Sequence, residues 1–231
     1  MKINKLTKLS KKFIYLAPGG FTMPYTLGIC NYIKDNYCLQ KYNYIGASAG
    51  SWLSIYLASD MKLSEQLFID FNDKFSDSNI LYKWHNVCPF LIDEFPKYIE
   101  DHSFIEEKKI EISVSEYSNK TITNKLINEY SNLNELLNLC MYSSYIPILS
   151  GVKILKRNNL INFDAYFSKP DFNNRQIVLC INNKMFDRDF KLLDVVGKNN
   201  IDSRELFILG YYDAMNNKNK LDYTFKDFYT F

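Results

Sequence analysis

The chain has 231 residues, enough for one domain with a sizeable core or for one domain carrying an insertion. Lys and Arg number 28 against 26 Asp and Glu, a net charge of +2, so the totals carry no nucleic-acid footprint and exclude DNA and RNA as expected partners. The apolar share is an ordinary 47%, but 18 Tyr and 17 Phe stand against 8 Gly, which points to an aromatic core.

Residues 1–12 hold Lys2, Lys5, Lys8, Lys11 and Lys12 and read as a basic arm, either a solvated tail or an electrostatic attachment to anionic membrane. The apolar run after it, Phe13 to Ala17, is too short for a signal-peptide core, and nothing approaches a membrane span. Cys30, Cys38, Cys88, Cys140 and Cys180 are scattered, odd in number and without a C-x-x-C pair. They argue against a disulfide framework and structural zinc, and read as buried small apolar groups in a reducing, cytoplasmic setting.

Phe13 to Ala17 predicts the first strand, ending in Pro18-Gly19-Gly20. A helix follows through Tyr25, Leu27, Ile29, Tyr32 and Ile33, then a second strand at Tyr42-Asn43-Tyr44-Ile45. The turn Gly46-Ala47-Ser48-Ala49-Gly50 leads into a helix carrying Trp52, Leu53, Ile55, Tyr56 and Leu57. This order implies a parallel sheet with right-handed crossovers. Residues 62–105 form a mostly helical, aromatic insert broken by Pro89 and Pro96, suited either to covering an active site or to plain core packing.

Lys109 to Val114 alternates strictly and predicts a half-buried strand. Residues 123–142 read as helix through Leu126, Ile127, Tyr130, Leu133, Leu136, Leu137 and Leu139, and Pro147 makes Ser143 to Leu149 a loop. Val152 to Leu155, Leu160 to Phe163 and Gln176 to Ile181 are strand-like, and a last helix starts near Ser203 and carries Leu206, Phe207, Leu209 and Tyr212. With no internal repeat and no low-complexity linker, residues 1–231 are expected to form a single domain.

Gly-x-Ser-x-Gly between strand and helix is the setting of a nucleophile elbow, although the same small residues also suit a packing turn. A serine nucleophile needs a base within hydrogen-bond reach and donors for the oxyanion. Only His85 and His102 exist, both inside the insert, so no late histidine is available. The histidines read as ordinary surface or packing residues, and if Ser48 is a nucleophile its base is a carboxylate.

Four stretches then stand together: Ala17-Pro18-Gly19-Gly20-Phe21 with the helix after it, Ile45-Gly46-Ala47-Ser48-Ala49-Gly50, Ser143-Ser144-Tyr145-Ile146-Pro147, and Leu160-Ile161-Asn162-Phe163-Asp164. Together they resemble the patatin-like phospholipases and their relatives, the adipose triglyceride lipases, over residues 13 to 170 or so. A weaker echo lies in Leu206 to Tyr211. The resemblance implies an α/β three-layer sandwich with a mainly parallel central sheet. It also implies a lipid acyl hydrolase acting on phospholipid or glyceride esters at a membrane or lipid-droplet surface, with no metal or organic cofactor.

The mechanism it implies is a Ser-Asp dyad: Ser48 as nucleophile, Asp164 as its base, and the Gly19 and Gly20 amides as the oxyanion hole. Asp171, Asp187, Asp189 and Asp194 compete with Asp164, but none ends so apolar a strand followed by a small residue. Two departures stand out. Pro18 replaces the first loop glycine and has no N–H to donate, leaving Gly19, Gly20 and Phe21. Ala165 and Tyr166 replace glycines after the aspartate, where a backbone with positive φ would strain Tyr166. These departures motivate a second reading, a catalytically silent lipid-binding protein of the same fold; a third, acyl transfer to a lipid alcohol, shares every residue.

Overall fold

The computed structural model describes residues 11–76, 79–151, 153–199 and 202–225. Most of the predicted basic arm, residues 1–10, therefore lies outside the described residues, and Lys12 already belongs to the first strand. That strand, β1 (Lys12–Leu16), leads through a 3-10 turn at Gly20–Thr22 into α1 (Met23–Asn36), whose Pro24 sits in the first turn, where its missing N–H costs nothing. β2 (Tyr42–Ala47) and α2 (Ala49–Ala58) complete the predicted strand–helix repeat.

The 62–105 stretch folds as α3 (Glu65–Phe75), α4 (Ile80–Glu94), a 3-10 turn at Phe95–Tyr98 and α5 (Ser103–Glu106). Side chains of Ser64 and Asn79 cap α3 and α4 by accepting from the Leu67 and Tyr82 N–H groups. Pro96 falls where α4 gives way, but Pro89 does not break that helix. Pro89 and His85 are both exposed, so solvent can serve the His85 carbonyl that the proline leaves without a donor.

β3 (Ile110–Ser118) and β4 (Thr121–Ile127) form a hairpin whose two turn residues, Asn119 and Lys120, take φ of 49° and 62°. Here the structure corrects the sequence reading, which made residues 123–142 a helix. Leu126 and Ile127 matched helical spacing by coincidence and pair with Ser113 and Ile112 of β3. The helix, α6 (Leu133–Ser144), begins only after Asn132 caps it by accepting from the Glu135 N–H, while the Glu135 carboxylate reaches back to the Ser131 N–H.

β5 (Lys156–Arg157) and β6 (Leu160–Phe163) make a second small hairpin, over Asn158 and Asn159 at φ of 51° and 63°. The strand expected at Val152 to Leu155 is therefore displaced; residue 152 lies outside the described residues, and residues 153–155 are not strand. β7 (Gln176–Ile181), α7 (Leu192–Val195), α8 (Ser203–Asn216) and α9 (Lys218–Phe225) follow.

The fold is α/β, a mixed, mostly parallel sheet flanked by helices. β7, β1, β2 and β3 run parallel, β4 and β6 are antiparallel to β3, and β5 is antiparallel to β6. Ile14, Leu16, Tyr44, Ile110, Ile112 and Val114 feed the main core beneath the helices. α1 packs against α8 at a notch where a Cβ on Gly210 would overlap the Tyr25 carbonyl, which explains the echo seen around that glycine.

β3 is not half-buried as its alternation suggested. Glu111, Ser113 and Ser115 are buried as well, because the opposite face of the sheet is covered and each polar group there has a partner. Glu111 takes Arg175 at 2.7 Å, Ser113 pairs with Asn124, and Ser115 donates to the Asp164 carbonyl at 2.7 Å. The alternation recorded a hydrogen-bonding face, not a solvent face.

The registers on β3 also fix the geometry of the site. β4 pairs with β3 residues that also pair with β2 (Ile112, Ser113) and with β6 (Ser115 to Tyr117), so β2 and β6 must share the other edge. They meet there end to end: Ala47 closes β2 opposite Ser113, and Phe163 closes β6 opposite Ser115. The next residues along each strand, Ser48 and Asp164, converge on the gap at Val114.

Candidate active site

Ser48 occupies a sharp turn with φ of 52° and ψ of −127°, a region costly for any residue with a Cβ. The flanking glycines make that turn possible. A Cβ on Gly46 would lie 2.5 Å from the Ser51 Cα, and one on Gly50 would overlap the Leu16 carbonyl. The turn is braced by Ser51, whose N–H and hydroxyl both donate to the Ser48 carbonyl, at 2.8 and 2.6 Å. The Ser48 N–H donates to the Ser143 Oγ at 2.8 Å, and the Ser143 hydroxyl donates onward to the Ser113 carbonyl at 2.6 Å.

The Ser48 hydroxyl donates to Asp164 Oδ2 at 2.6 Å. Asp164 is held at four points. Its Oδ1 accepts from the Tyr166 N–H at 2.7 Å, its N–H donates to the Tyr145 carbonyl at 2.8 Å, its carbonyl accepts from Ser115, and Oδ2 faces Ser48. The carboxyl is almost completely buried, and burial pushes its pKa up from 3.8 to about 6, with the Ser48 and Tyr166 hydrogen bonds pulling the other way. A raised carboxyl poised near neutrality suits proton transfer in both directions.

The strain expected at Tyr166 does not occur. Residues 165–167 form a 3-10 turn, and Tyr166 is not among the residues with positive φ. Instead of a glycine's left-handed backbone, an Asx-type turn uses the aspartate itself to fix the chain, and the Tyr166 ring points outward, 74% exposed.

Gly19 and Gly20 line the same cleft as Ser48 and Asp164, a space of about 400 Å³ that Pro18 also borders. Gly20 has φ of 54°, and its α-carbon lies so close to the Val195 carbonyl that a Cβ would overlap it. The Gly19 carbonyl is turned away, accepting from both the N–H and the hydroxyl of Thr22, and Asn183 donates to that hydroxyl in turn. The first turn of α2 begins immediately after Ser48, bringing the positive end of the helix dipole beneath it.

The structure thus brings Ser48, Asp164, Gly19 and Gly20 into one cleft. His85 and His102 are exposed on the helical insert, in keeping with their reading as ordinary residues. Asp171 turns onto Asn173, Asp194 caps α7, and Asp187 and Asp189 are exposed, so the competing carboxylates are engaged elsewhere or face solvent. Cys30, Cys88 and Cys140 are buried as expected, whereas Cys38 and Cys180 are exposed. Both occur near the ends of elements, where packing does not enclose them. No cluster of His, Cys, Asp and Glu suited to a metal ion occurs among the described residues.

Two supporting residues had no legible signal: Ser115, which donates to the Asp164 carbonyl, and Ser51, the brace of the turn; Ser143 lay in a stretch that carried the resemblance, but nothing there marked its hydrogen bonds. Each is a serine on a buried element, a pattern that composition alone reads as neutral. Within the insert, α4 packs into the core, and its Trp84, Val87 and Cys88 also line an apolar cavity that reaches Ser48.

Among the described residues no helix is long and apolar enough to cross a membrane. No curated protein and no solved structure matches the chain. The family model for the patatin-like phospholipases matches residues 16–222, a span that opens in β1 and closes in α9. With glycine loop, elbow and aspartate strand all inside that span, the chain belongs to the patatin-like phospholipase family, a family of lipid hydrolases.

Proposed function

We propose that the protein is a serine lipid acyl hydrolase that cleaves carboxylic esters of phospholipids or glycerides through a Ser48–Asp164 dyad. The 2.6 Å hydrogen bond from the Ser48 hydroxyl to the Asp164 carboxylate carries this reading. Ser48 Oγ bonds to the ester carbonyl carbon while its proton passes to Asp164. The Gly19 and Gly20 N–H groups receive the oxyanion. As the tetrahedral intermediate collapses, the bond to the alcohol breaks and Asp164 returns its proton to the departing oxygen. A water molecule then attacks the acyl-serine, giving one proton to Asp164, which passes it to Ser48 Oγ as the fatty acid leaves.

Exposed apolar side chains frame the cleft and favour work at a lipid surface. Tyr166 and Leu192 are each 74% exposed and line it, and Ile148, Phe167 and Leu193 project beside them. The test is covalent labelling by a fluorophosphonate together with ester turnover. Labelling of wild type, none of Ser48→Ala, and turnover lowered by orders of magnitude in a folded Asp164→Asn are the expected results. Near-normal turnover in Asp164→Asn removes the dyad.

A further inference from the structure

The Gly19 carbonyl is held twice by one residue, by the Thr22 N–H at 3.1 Å and by the Thr22 hydroxyl at 2.6 Å. Thr22 is fully buried and does not line the cleft. Its hydroxyl has a single proton, and that proton is committed to Gly19 because Asn183 Nδ2 donates to the same oxygen at 3.2 Å. The sheet brings Asn183 there. Leu16 pairs with Ile181, and the Ala17 N–H donates to the Ile181 carbonyl at 2.9 Å, so β1 and β7 end level. Just beyond, a turn in which Asn182 Oδ1 accepts from the Lys184 N–H at 2.8 Å sets Asn183 against the glycine loop.

In a trans peptide the carbonyl of one residue and the N–H of the next point in opposite directions, and no cis peptide bond occurs among the described residues. A Gly19 carbonyl held towards buried Thr22 therefore sends the Gly20 N–H the other way, to the side where Gly20 lines the cleft with Ser48. Among the described residues, neither the Gly19 nor the Gly20 N–H has a protein acceptor. Resting on the dyad reading and its oxyanion hole, we infer that Thr22 and Asn183 are positioning residues, a relay from Asn183 through the Thr22 hydroxyl to the Gly19 carbonyl that aims the Gly20 N–H before the oxyanion forms.

The loop has need of such a relay. A peptide between two glycines turns over easily, and Pro18 has no N–H to stand in if it does. Bulk cannot hold it either, because Gly20, at φ 54°, lies too close to the Val195 carbonyl for any side chain. Hydrogen bonds from Thr22 and Asn183 supply the restraint instead.

One well-placed oxyanion donor is worth about 10²–10³ in kcat, so a relay that aims one is expected to be worth about tenfold or more. The test measures kcat and KM for a soluble 4-nitrophenyl ester with wild type, Thr22→Val, Thr22→Ser, Asn183→Ala and the double variant Thr22→Val/Asn183→Ala. Thr22→Val and Asn183→Ala are each expected to lower kcat about tenfold or more with KM little changed. Thr22→Ser keeps the hydroxyl and is expected to match wild type. Because Asn183 acts through Thr22, the double variant should be no slower than Thr22→Val alone.

Unchanged kcat in either single variant, multiplied losses in the double, or a Thr22→Ser as slow as Thr22→Val overturns the relay while the dyad stands. Asn183 is only half-buried, so Asn183→Ala is expected to fold even if Thr22→Val does not. If wild type turns over no ester, the dyad fails and the relay is judged on the Gly20 amide itself, by NMR of protein labelled with ¹⁵N-glycine, which has eight glycines. A Gly20 signal displaced or broadened in Asn183→Ala and Thr22→Val but not in Thr22→Ser supports it, and any other pattern overturns it.

Discussion

The hydroxyl of Ser143 stands between the Ser48 backbone N–H, from which it accepts at 2.8 Å, and the Ser113 carbonyl, to which it donates at 2.6 Å. Past Ala47 the chain turns away from β3, and Ser143 replaces the ladder bond that the turn breaks. Ser143→Ala leaves a buried N–H and a buried carbonyl without that partner. It is expected to cost about 1–3 kcal/mol of stability in urea denaturation. It should also slow fluorophosphonate labelling of Ser48 by at least tenfold, because the elbow loses its anchor; unchanged labelling would assign Ser143 to packing alone.

The proposed role of Asp164 as base gives the activity a pH limb. Its pKa is raised to about 6, so kcat/KM for a soluble ester should climb through that region as the carboxylate ionises, and level off above it. Stability runs the opposite way. The folded pKa lies above the unfolded value of 3.8, so the folded state binds the extra proton between them, and stability falls as pH rises from about 4 to 6. Asp164→Asn lacks this loss, so its Tm relative to wild type should be higher at pH 7.5 than at pH 4.5. A pH-independent difference would show that burial does not tax the carboxylate.

Strain at Ser48 can be isolated by two substitutions that both delete the hydroxyl. Ser48→Ala keeps a Cβ at φ 52°, whereas Ser48→Gly relaxes it. The glycine variant should be more stable than the alanine variant by about 1–2 kcal/mol in denaturant titration, although both are inactive. Equal stabilities would mean that the turn is not strained.

Gly46→Ala tests the tightness of the same turn. The added Cβ would sit 2.5 Å from a backbone atom, Ser51 Cα, which cannot swing aside as a side-chain tip would. Loss of about 3 kcal/mol or more, or failure to fold, is expected, measured by thermal or urea unfolding.

Ile148 carries a β-branched side chain at φ 75° and is 76% exposed, on the loop that follows the cleft residue Ile146. Ile148→Gly should stabilise the fold by relieving the backbone and yet weaken sedimentation with phospholipid vesicles. Unchanged vesicle binding would separate the loop from the lipid surface.

Much of the fold could be read from the residues. The β1–α1–β2–α2 order, the elbow and β6 leading into Asp164 follow from apolar runs punctuated by glycines and an aspartate, which are local signals. The β3–β4 hairpin was missed because Leu126 and Ile127 continue the spacing of the true helix beyond, while the turn at Asn119 and Lys120 lacks the glycine that usually marks one. Ser115, and the part that Ser143 plays within its stretch, were illegible for a different reason. Their roles depend on partners far along the chain, and a serine looks the same whether it faces water or a buried carbonyl. The feared strain at Tyr166 dissolved because an aspartate side chain can do locally what a glycine backbone does elsewhere.

Because β2 and β6 abut on one edge of β3, Ser48 and Asp164, the proposed nucleophile and base, hang from strand ends that share a single neighbour. A sideways shift of β3 carries both together, and Ser143 of α6 ties that same strand to the Ser48 N–H, so the 2.6 Å gap between them is held from two sides. The spacing on which the proposed proton transfer depends is therefore gauged first by the sheet's own ladder.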